Sequence, residues 1–312
     1  MQFIPAVILY FMNLSLCCIS NILAEEGHKF RTMTFKSFSS KSREESLRKL
    51  SGIIINNFSV SGKIIKHCAA NGIKGYRLSS DLTPVIKHPE VMLNLEDLPN
   101  YNLIEEEINN VSLAIRETGI RVSAHPSEYI TLTSDDPIKI NHSLVDLEMH
   151  GEIFERLGLE KSYYNPLNIH IRKEGDAREL SQTFIKNFER LSDNVKKRLV
   201  LENNDTGNTW TVSNLKKYLY TSYGIPVTFD NLHHNMLNHN VSHFDAFFEA
   251  YSTWNCAPIF HYSEGKNGTR AHSDMALGIP ENYNKEVLFD VELKSKDYAI
   301  LDILKRYNER QI

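Results

Sequence analysis

The sequence predicts an α/β chain folded as a (β/α)₈ TIM barrel, and three observations carry that prediction. About eight short apolar segments alternate with stretches of helical periodicity, the pattern of parallel strands joined by helical crossovers. No break in composition divides the 312 residues, so residues 1–312 are expected to form one domain of ordinary barrel size. No glycine-rich phosphate loop follows the first strand, which counts against an open doubly wound sheet.

Taken in order, residues 6–11 (AVILYF) form a continuous apolar run that fits a strand buried on both faces. A polar, Ser/Lys-rich loop follows. Leu47, Leu50, Ile54, Phe58, Ile65 and Ala69 then recur at helical spacing over residues 43–71, and Gly72 stands where such a helix would stop. Residues 74–78 (KGYRL) read as the second strand, 102–118 as a helix closed by Gly119, and 120–124 (IRVSA) as the third strand. Asp136-Pro137 has the form of an N-cap followed by proline at the first helical position. Strands are expected at 167–169, 198–201, 227–229, 257–260 and 287–291, with helices at 179–195, 210–222, 243–251 and 294–307 between and after them.

Hydrophobic content of 41% and charged content of 24% belong to a globular chain. A net charge of −4 gives no sign of a polyanion binder, although bound divalent cations can reverse a local field. The apolar N-terminus lacks a preceding Lys or Arg and is too short to span a bilayer, so it reads as a strand and no membrane partner is expected. The four cysteines include the adjacent pair Cys17-Cys18 and no CxxC, which argues against a zinc knuckle or a disulfide framework and points to a reducing, intracellular setting rather than secretion.

The chemistry lies in how the strands end. Barrel active sites are built from residues at the C-terminal ends of the strands. Here those ends supply Tyr10, Ser79, His125, His170, Glu202, Asp230, His261 and Glu292, with His233 and His272 in loops just beyond. A single strand-end histidine means little, but six ligand-type residues at six strand ends do, because buried carboxylates are costly without a cation. Mixed imidazole and carboxylate donors suit Zn²⁺, Mn²⁺ or Fe²⁺ better than Ca²⁺ or Mg²⁺ alone. The donors exceed what one ion needs, so two or three ions sharing a carboxylate are expected. Ions about 3.5 to 4 Å apart hydrolyse phosphodiesters, which makes that reaction a sensible use of the site.

The segments GYRLSSDLTPVIKHP, RVSAHPSEY, LNIH, LVLENND, VTFDNLHH, PIFHYS, AHSD and VELKSK together resemble the UV damage endonuclease family, in order and in rough spacing, over most of the chain. The resemblance implies a barrel related to endonuclease IV, with a multi-metal centre of manganese first and zinc or magnesium as alternatives. It implies nicking of damaged double-stranded DNA immediately 5′ of a UV photoproduct, leaving a 3′-hydroxyl and a 5′-phosphate. By motif position His125, His170, Glu202, Asp230, His233, His261, His272 and Glu292 are the implied ligands, with Glu202 as the bridging carboxylate. His88 and Lys294 are expected to act in catalysis, and Tyr10, Asn13, Glu128 and Tyr129 to meet the lesion. Two departures stand out. Glu128 replaces the family's glutamine, and Ile259 replaces a lysine that some members carboxylate. The resemblance implies a monomer with no nucleotide cofactor. A sugar isomerase or epimerase on a related barrel, or a lesion-binding protein that does not cut, are the competing expectations.

Overall fold

Eight parallel strands form a nearly closed barrel wall in the computed structural model, which describes residues 12–237 and 240–310. They are β1 (Asn13–Cys17), β2 (Gly75–Leu78), β3 (Arg121–Ala124), β4 (Leu167–His170), β5 (Leu199–Glu202), β6 (Val227–Thr228), β7 (Ile259–Tyr262) and β8 (Leu288–Val291). The order in the wall is β6-β5-β4-β3-β2-β1-β8-β7, so strands consecutive in sequence lie side by side and β1 meets β8. The seam between β6 and β7 is joined by one parallel bridge, Asp230 to His261, with the His261 amide donating to the Phe229 carbonyl at 2.9 Å.

Strand periodicity decides what each residue faces. Along β1, Leu14 and Leu16 alternate with Ser15 and Cys17, and Ser15 stands in register with Gly75 of β2 and Asp290 of β8. These three look into the barrel. Gly75 is required there by close approach, since a Cβ on it would lie 2.7 Å from the Ser15 Cβ and 2.7 Å from Leu288 Cδ2. The lumen just below the mouth is unusually polar. Ser15, Arg77, Ser123, Asn168, Thr228 and Asp290 are all buried.

That polar lumen shows in the first strand of the wall among the described residues, Asn13–Cys17, whose one polar face reads as L-S-L-C and not as a continuous apolar run. The sequence instead singles out residues 6–11. Those residues, Tyr10 among them, lie outside the described region. The other seven strands fall within two residues of expectation, and β6 is only two residues long.

The crossover helices bury apolar stripes against the wall, and their ends are capped as the sequence predicts. Ser42 accepts from the Glu45 amide at the start of the Arg43–Ala70 helix, and Asp136 accepts from the Ile138 amide ahead of the Pro137–Arg156 helix. Gly119, at φ 67°, closes the Tyr101–Thr118 helix with its amide on the Ile115 carbonyl. Two helices depart from the expected form. The one predicted over 179–195 is split into Ala177–Phe188 and Asp193–Lys196, because Ser192 caps the second piece through the Val195 amide. The one over 210–222 contains a π-helical turn at Lys216–Tyr220. Among the described residues no helix is long and apolar enough to cross a membrane.

Candidate metal centre and its adjoining cleft

At the C-terminal ends of β3 to β8 the side chains converge into a ring. Three groups of donors lie close enough together to hold an ion, and they share members: His125, His170 and Glu202; Glu202, Asp230 and His233; Asp230, His261 and Glu292. Glu202 is the common point. Its Oε2 lies 3.3 Å from His125 Nε2, 3.4 Å from His170 Nε2 and 3.1 Å from His261 Nδ1, while Oε1 lies 3.1 Å from His233 Nδ1. The imidazole rings pack around it, with centroids 5.4 Å apart for His125 and His170 and 5.3 Å for His170 and His233.

Asp230 shows how a local motif builds the site. It is the N-cap of the short Asn231–Met236 helix, where its Oδ1 accepts from the His233 amide at 2.7 Å. The cap therefore fixes the candidate donors Asp230 and His233 in one turn, three residues apart. Its other oxygen, Oδ2, is buried with no hydrogen-bond partner, and the same holds for His261 Nδ1. That nitrogen nevertheless has Glu202 Oε2 at 3.1 Å, Glu292 Oε1 at 3.4 Å and Asp230 Oδ2 at 3.9 Å. Three carboxylates around one imidazole nitrogen, without hydrogen-bond geometry, leave buried charge uncompensated, which a cation would cure. The donor set and these orphaned atoms fit divalent ions.

The electrostatics agree. Burial opposes ionisation of Glu202, but the surrounding imidazoles outweigh it and hold its carboxyl well below the usual range. Burial likewise opposes Glu292, and Arg77 together with His261 pulls it down. Asp230 is pushed up by burial. Burial lowers His170 to about 4, whereas for His233 and His261 the same burial is overcome by neighbouring carboxylates, which raise them to about 11 and about 9.

Several contributors escape a reading of strand ends. Arg77 of β2 pairs with Glu292. Asn168 of β4 donates to Glu202. Asn203 exchanges two bonds with the Asp230 backbone, at 3.1 and 2.9 Å, and its carbonyl lies 2.9 Å from His233 Nδ1. Asn204 places its Oδ1 3.0 Å from His170 Nδ1. The signal for the last two is the NN that follows Glu202, which looks like an ordinary loop. His234, next to His233, is buried and points away, with Nε2 3.1 Å from the Val241 carbonyl. His272 stands at the rim, its Nε2 3.7 Å from Glu292, and its loop is tied to the segment after β8 by the Lys294 amide on the Ser273 carbonyl at 3.0 Å.

Beside the ring, the loops after β2 and β3 border a cleft of about 440 Å³ lined by His88, Lys87, Ser127, Tyr129, His142 and Asp146, among others. His88 stacks on Phe35 with ring centroids 4.2 Å apart. Tyr129 is 84% exposed, and Glu128 beside it lies 3.6 Å from Arg172. Asn13 is not at this mouth. It opens β1 and lines a separate cleft with Lys74, Arg121 and Tyr164 at the N-terminal ends of the strands. The resemblance implies that it meets a lesion, and its place at the opposite end of the barrel corrects that expectation. What β1 delivers to the mouth is Cys17 and, beyond it, Asn21, whose side chain donates to the Lys294 carbonyl at 3.3 Å. All four cysteines are free thiols.

Comparison with known proteins decides the family. The family model described as UV-endonuclease UvdE matches residues 12–311. The chain belongs to the UV-endonuclease UvdE family. The UV DNA damage endonuclease of Nostoc sp. is 30% identical over 305 residues, covering 92% of this chain and 88% of the relative. The crystal structure of SacUVDE superposes with a TM-score of 0.81 at 27% identity, covering 96% of this chain and 99% of that one. Endonuclease IV from Thermus thermophilus shares the fold, with a TM-score of 0.58 at 17% identity over 80% of this chain and 94% of that one. Membership of UvdE makes this chain an endonuclease, and it carries the donor set described above on a TIM barrel.

Proposed function

We propose that this endonuclease nicks duplex DNA immediately 5′ of UV photoproducts by metal-dependent phosphodiester hydrolysis, leaving a 3′-hydroxyl and a 5′-phosphate. The observation that carries the reading is the pair of orphaned buried atoms, Asp230 Oδ2 and His261 Nδ1, inside a ring that Glu202 links together. His125, His170, Asp230, His233, His261, His272 and Glu292 would hold two or three divalent ions, manganese first and zinc or magnesium second, with Glu202 bridging. Such ions supply Lewis-acid polarisation of a phosphate oxygen and acidify a water.

The chain's own residues do the rest. Glu202, held ionised among four imidazoles, keeps the centre compact. Asn204 and the Asn203 carbonyl fix the orientation of His170 and His233 by engaging the nitrogens described above. Lys294 at the exposed rim meets a DNA phosphate. His88 lines the cleft wall and acts in catalysis from there. Tyr129, projecting from its loop, stacks on or wedges into the duplex at the lesion. Arg172 offsets the charge of Glu128, so the carboxylate at that position does not simply repel the DNA backbone.

The test is incision of a duplex carrying one defined pyrimidine dimer, with Mn²⁺ present and the undamaged duplex as control. A single nick 5′ of the dimer, lost on chelation, is expected. No incision by protein whose bound metal has been verified would overturn the reading.

A further inference from the structure

Directly beneath the ring lies one carboxylate that the reading above leaves without a task. Asp290 sits within β8, 1% exposed, two residues before Glu292 and in register with His261 of the neighbouring β7. Its Oδ2 accepts from Ser123 Oγ at 3.1 Å and lies 3.9 Å from His261 Nε2 and 4.0 Å from Arg77 Nη1. Its Oδ1 is buried and has no hydrogen-bond partner. Arg77 does not settle this charge, because the same Nη1 is in closer contact with Glu292. A buried carboxylate with an empty oxygen is costly enough to demand a reason.

His261 supplies the reason. Its Nδ1 faces Glu202, Glu292 and Asp230, so Nδ1 is the nitrogen turned toward the ring, and Nε2 is turned toward Asp290. Of the other imidazoles around Glu202, His125 and His170 rest their second nitrogen on neutral acceptors, the Pro126 carbonyl at 3.1 Å and Asn204, while His233 turns one nitrogen, Nδ1, to both the Asn203 carbonyl and Glu202. Of these four, only His261 has a carboxylate behind it. A metal-bound imidazole ordinarily donates its second N–H to such a group, which fixes the tautomer and the ring orientation.

We propose that Asp290 is a positioning residue of the metal centre, accepting the Nε2 proton of His261 and so keeping Nδ1 free and aimed at an ion, while Ser123 steadies the carboxylate from the other side. This rests on the reading of the ring as a metal centre. A movement of about one ångström brings the 3.9 Å separation into hydrogen-bond range. Asp290 is not itself a donor to the ring, for it belongs to none of the three groups whose atoms converge.

The experiment is calorimetric titration of Mn²⁺ into chelator-treated protein for wild type, Asp290→Ala, Asp290→Asn, His261→Gln and Asp290→Ala combined with His261→Gln. Asp290→Ala is expected to weaken binding about 10- to 100-fold, the usual effect of removing such a partner. Asp290→Asn, which keeps an acceptor oxygen, recovers most of that loss. In the His261→Gln background Asp290→Ala adds little, since the two residues act through one contact. Additive losses, an Asp290→Asn as weak as Asp290→Ala, or an Asp290→Ala within twofold of wild type each overturn the proposal. Melting of the metal-free proteins checks folding; if Asp290→Ala does not fold, Ser123→Ala replaces it, with weaker Mn²⁺ binding expected and unchanged binding counting against the proposal. A wild type that binds neither Mn²⁺ nor Zn²⁺ overturns the metal-centre reading itself, whereas normal wild-type binding with an unaffected Asp290→Ala overturns only this inference.

Discussion

The ring and the cleft beside it are built on opposite plans. In the ring Glu202, Asp230 and His261 are at most 1% exposed, sit at or next to strand ends, and are held by caps and neighbouring amides. In the cleft Tyr129 is 84% exposed on a loop, and its neighbour Glu128 has one surface ion pair. Groups that must keep a fixed geometry are carried by the rigid wall, while groups that must fit a deformed duplex are carried by loops. The two regions should therefore fail in different ways when they are disturbed.

The largest effect is expected from Glu202→Ala. It removes the carboxylate common to the ring, so metal content measured by mass spectrometry should drop and incision should fall about 10²- to 10⁴-fold, corresponding to several kcal/mol of lost charge stabilisation. Full activity in that variant would break the division between ring and cleft. Chelation comes next: with a net charge of −4 the chain has little attraction for a polyanion, so EDTA should weaken binding to damaged duplex about tenfold or more in a gel-shift titration. Unchanged affinity would place DNA binding in the cleft alone. Tyr129→Ala should leave metal content intact and reduce preference for damaged over undamaged duplex by about 1–3 kcal/mol, the range for loss of one stacking side chain. A change in metal content there would show that the two regions are one.

A last test concerns pH. Burial alone would lower His233 and His261, but neighbouring carboxylates raise them to about 11 and about 9 in the absence of ions. A raised imidazole stabilises the fold fully below the unfolded value of about 6.5 and loses that contribution as pH climbs through the folded value. The chelated protein should thus melt at progressively lower temperature from about pH 7 upward, most steeply to about 9, where both rings stay protonated in the folded state alone, and more gently to about 11, where only His233 does. The metal-loaded protein should not follow it over the lower part of that range, because ions bind the deprotonated rings. Parallel melting curves for the two forms would count against His233 and His261 as ligands.

Much of the ring was legible in the sequence because the barrel rule converts the end of an apolar segment into a position at the mouth. His125, His170, Glu202, Asp230, His261 and Glu292 all end strands or stand within one or two residues of the end, and all six fall in the convergent donor groups, together with His233. Asn203, Asn204, Asn168 and Arg77 were not legible, since their value lies in side-chain contacts across different strands that no local pattern records. Asp230 was read as a ligand but not as the helix cap that orients His233. The strand at Asn13–Cys17 was not legible because the apolar run before it outweighed its L-S-L-C alternation, and Asn13, which the resemblance assigned to the lesion, opens that strand at the far end of the barrel.

The seam between β6 and β7 gives the ring a second meaning. Most neighbouring strands share two or more paired residues, whereas here, as between β3 and β4, one pair joins the edges, Asp230 to His261, and the side-chain amide of Asn231 adds a rung by donating to the Ser263 carbonyl at 2.9 Å and accepting from its amide at 3.0 Å. Two proposed ligands thus sit on facing lips of the one gap in the cylinder. An ion shared between them would act as a clasp, reinforcing a seam that the backbone closes with one bridge and the Asn231 rung. Loss of such an ion would then cost more than turnover, because it would loosen the one seam at which strand edges could open to pair with another sheet.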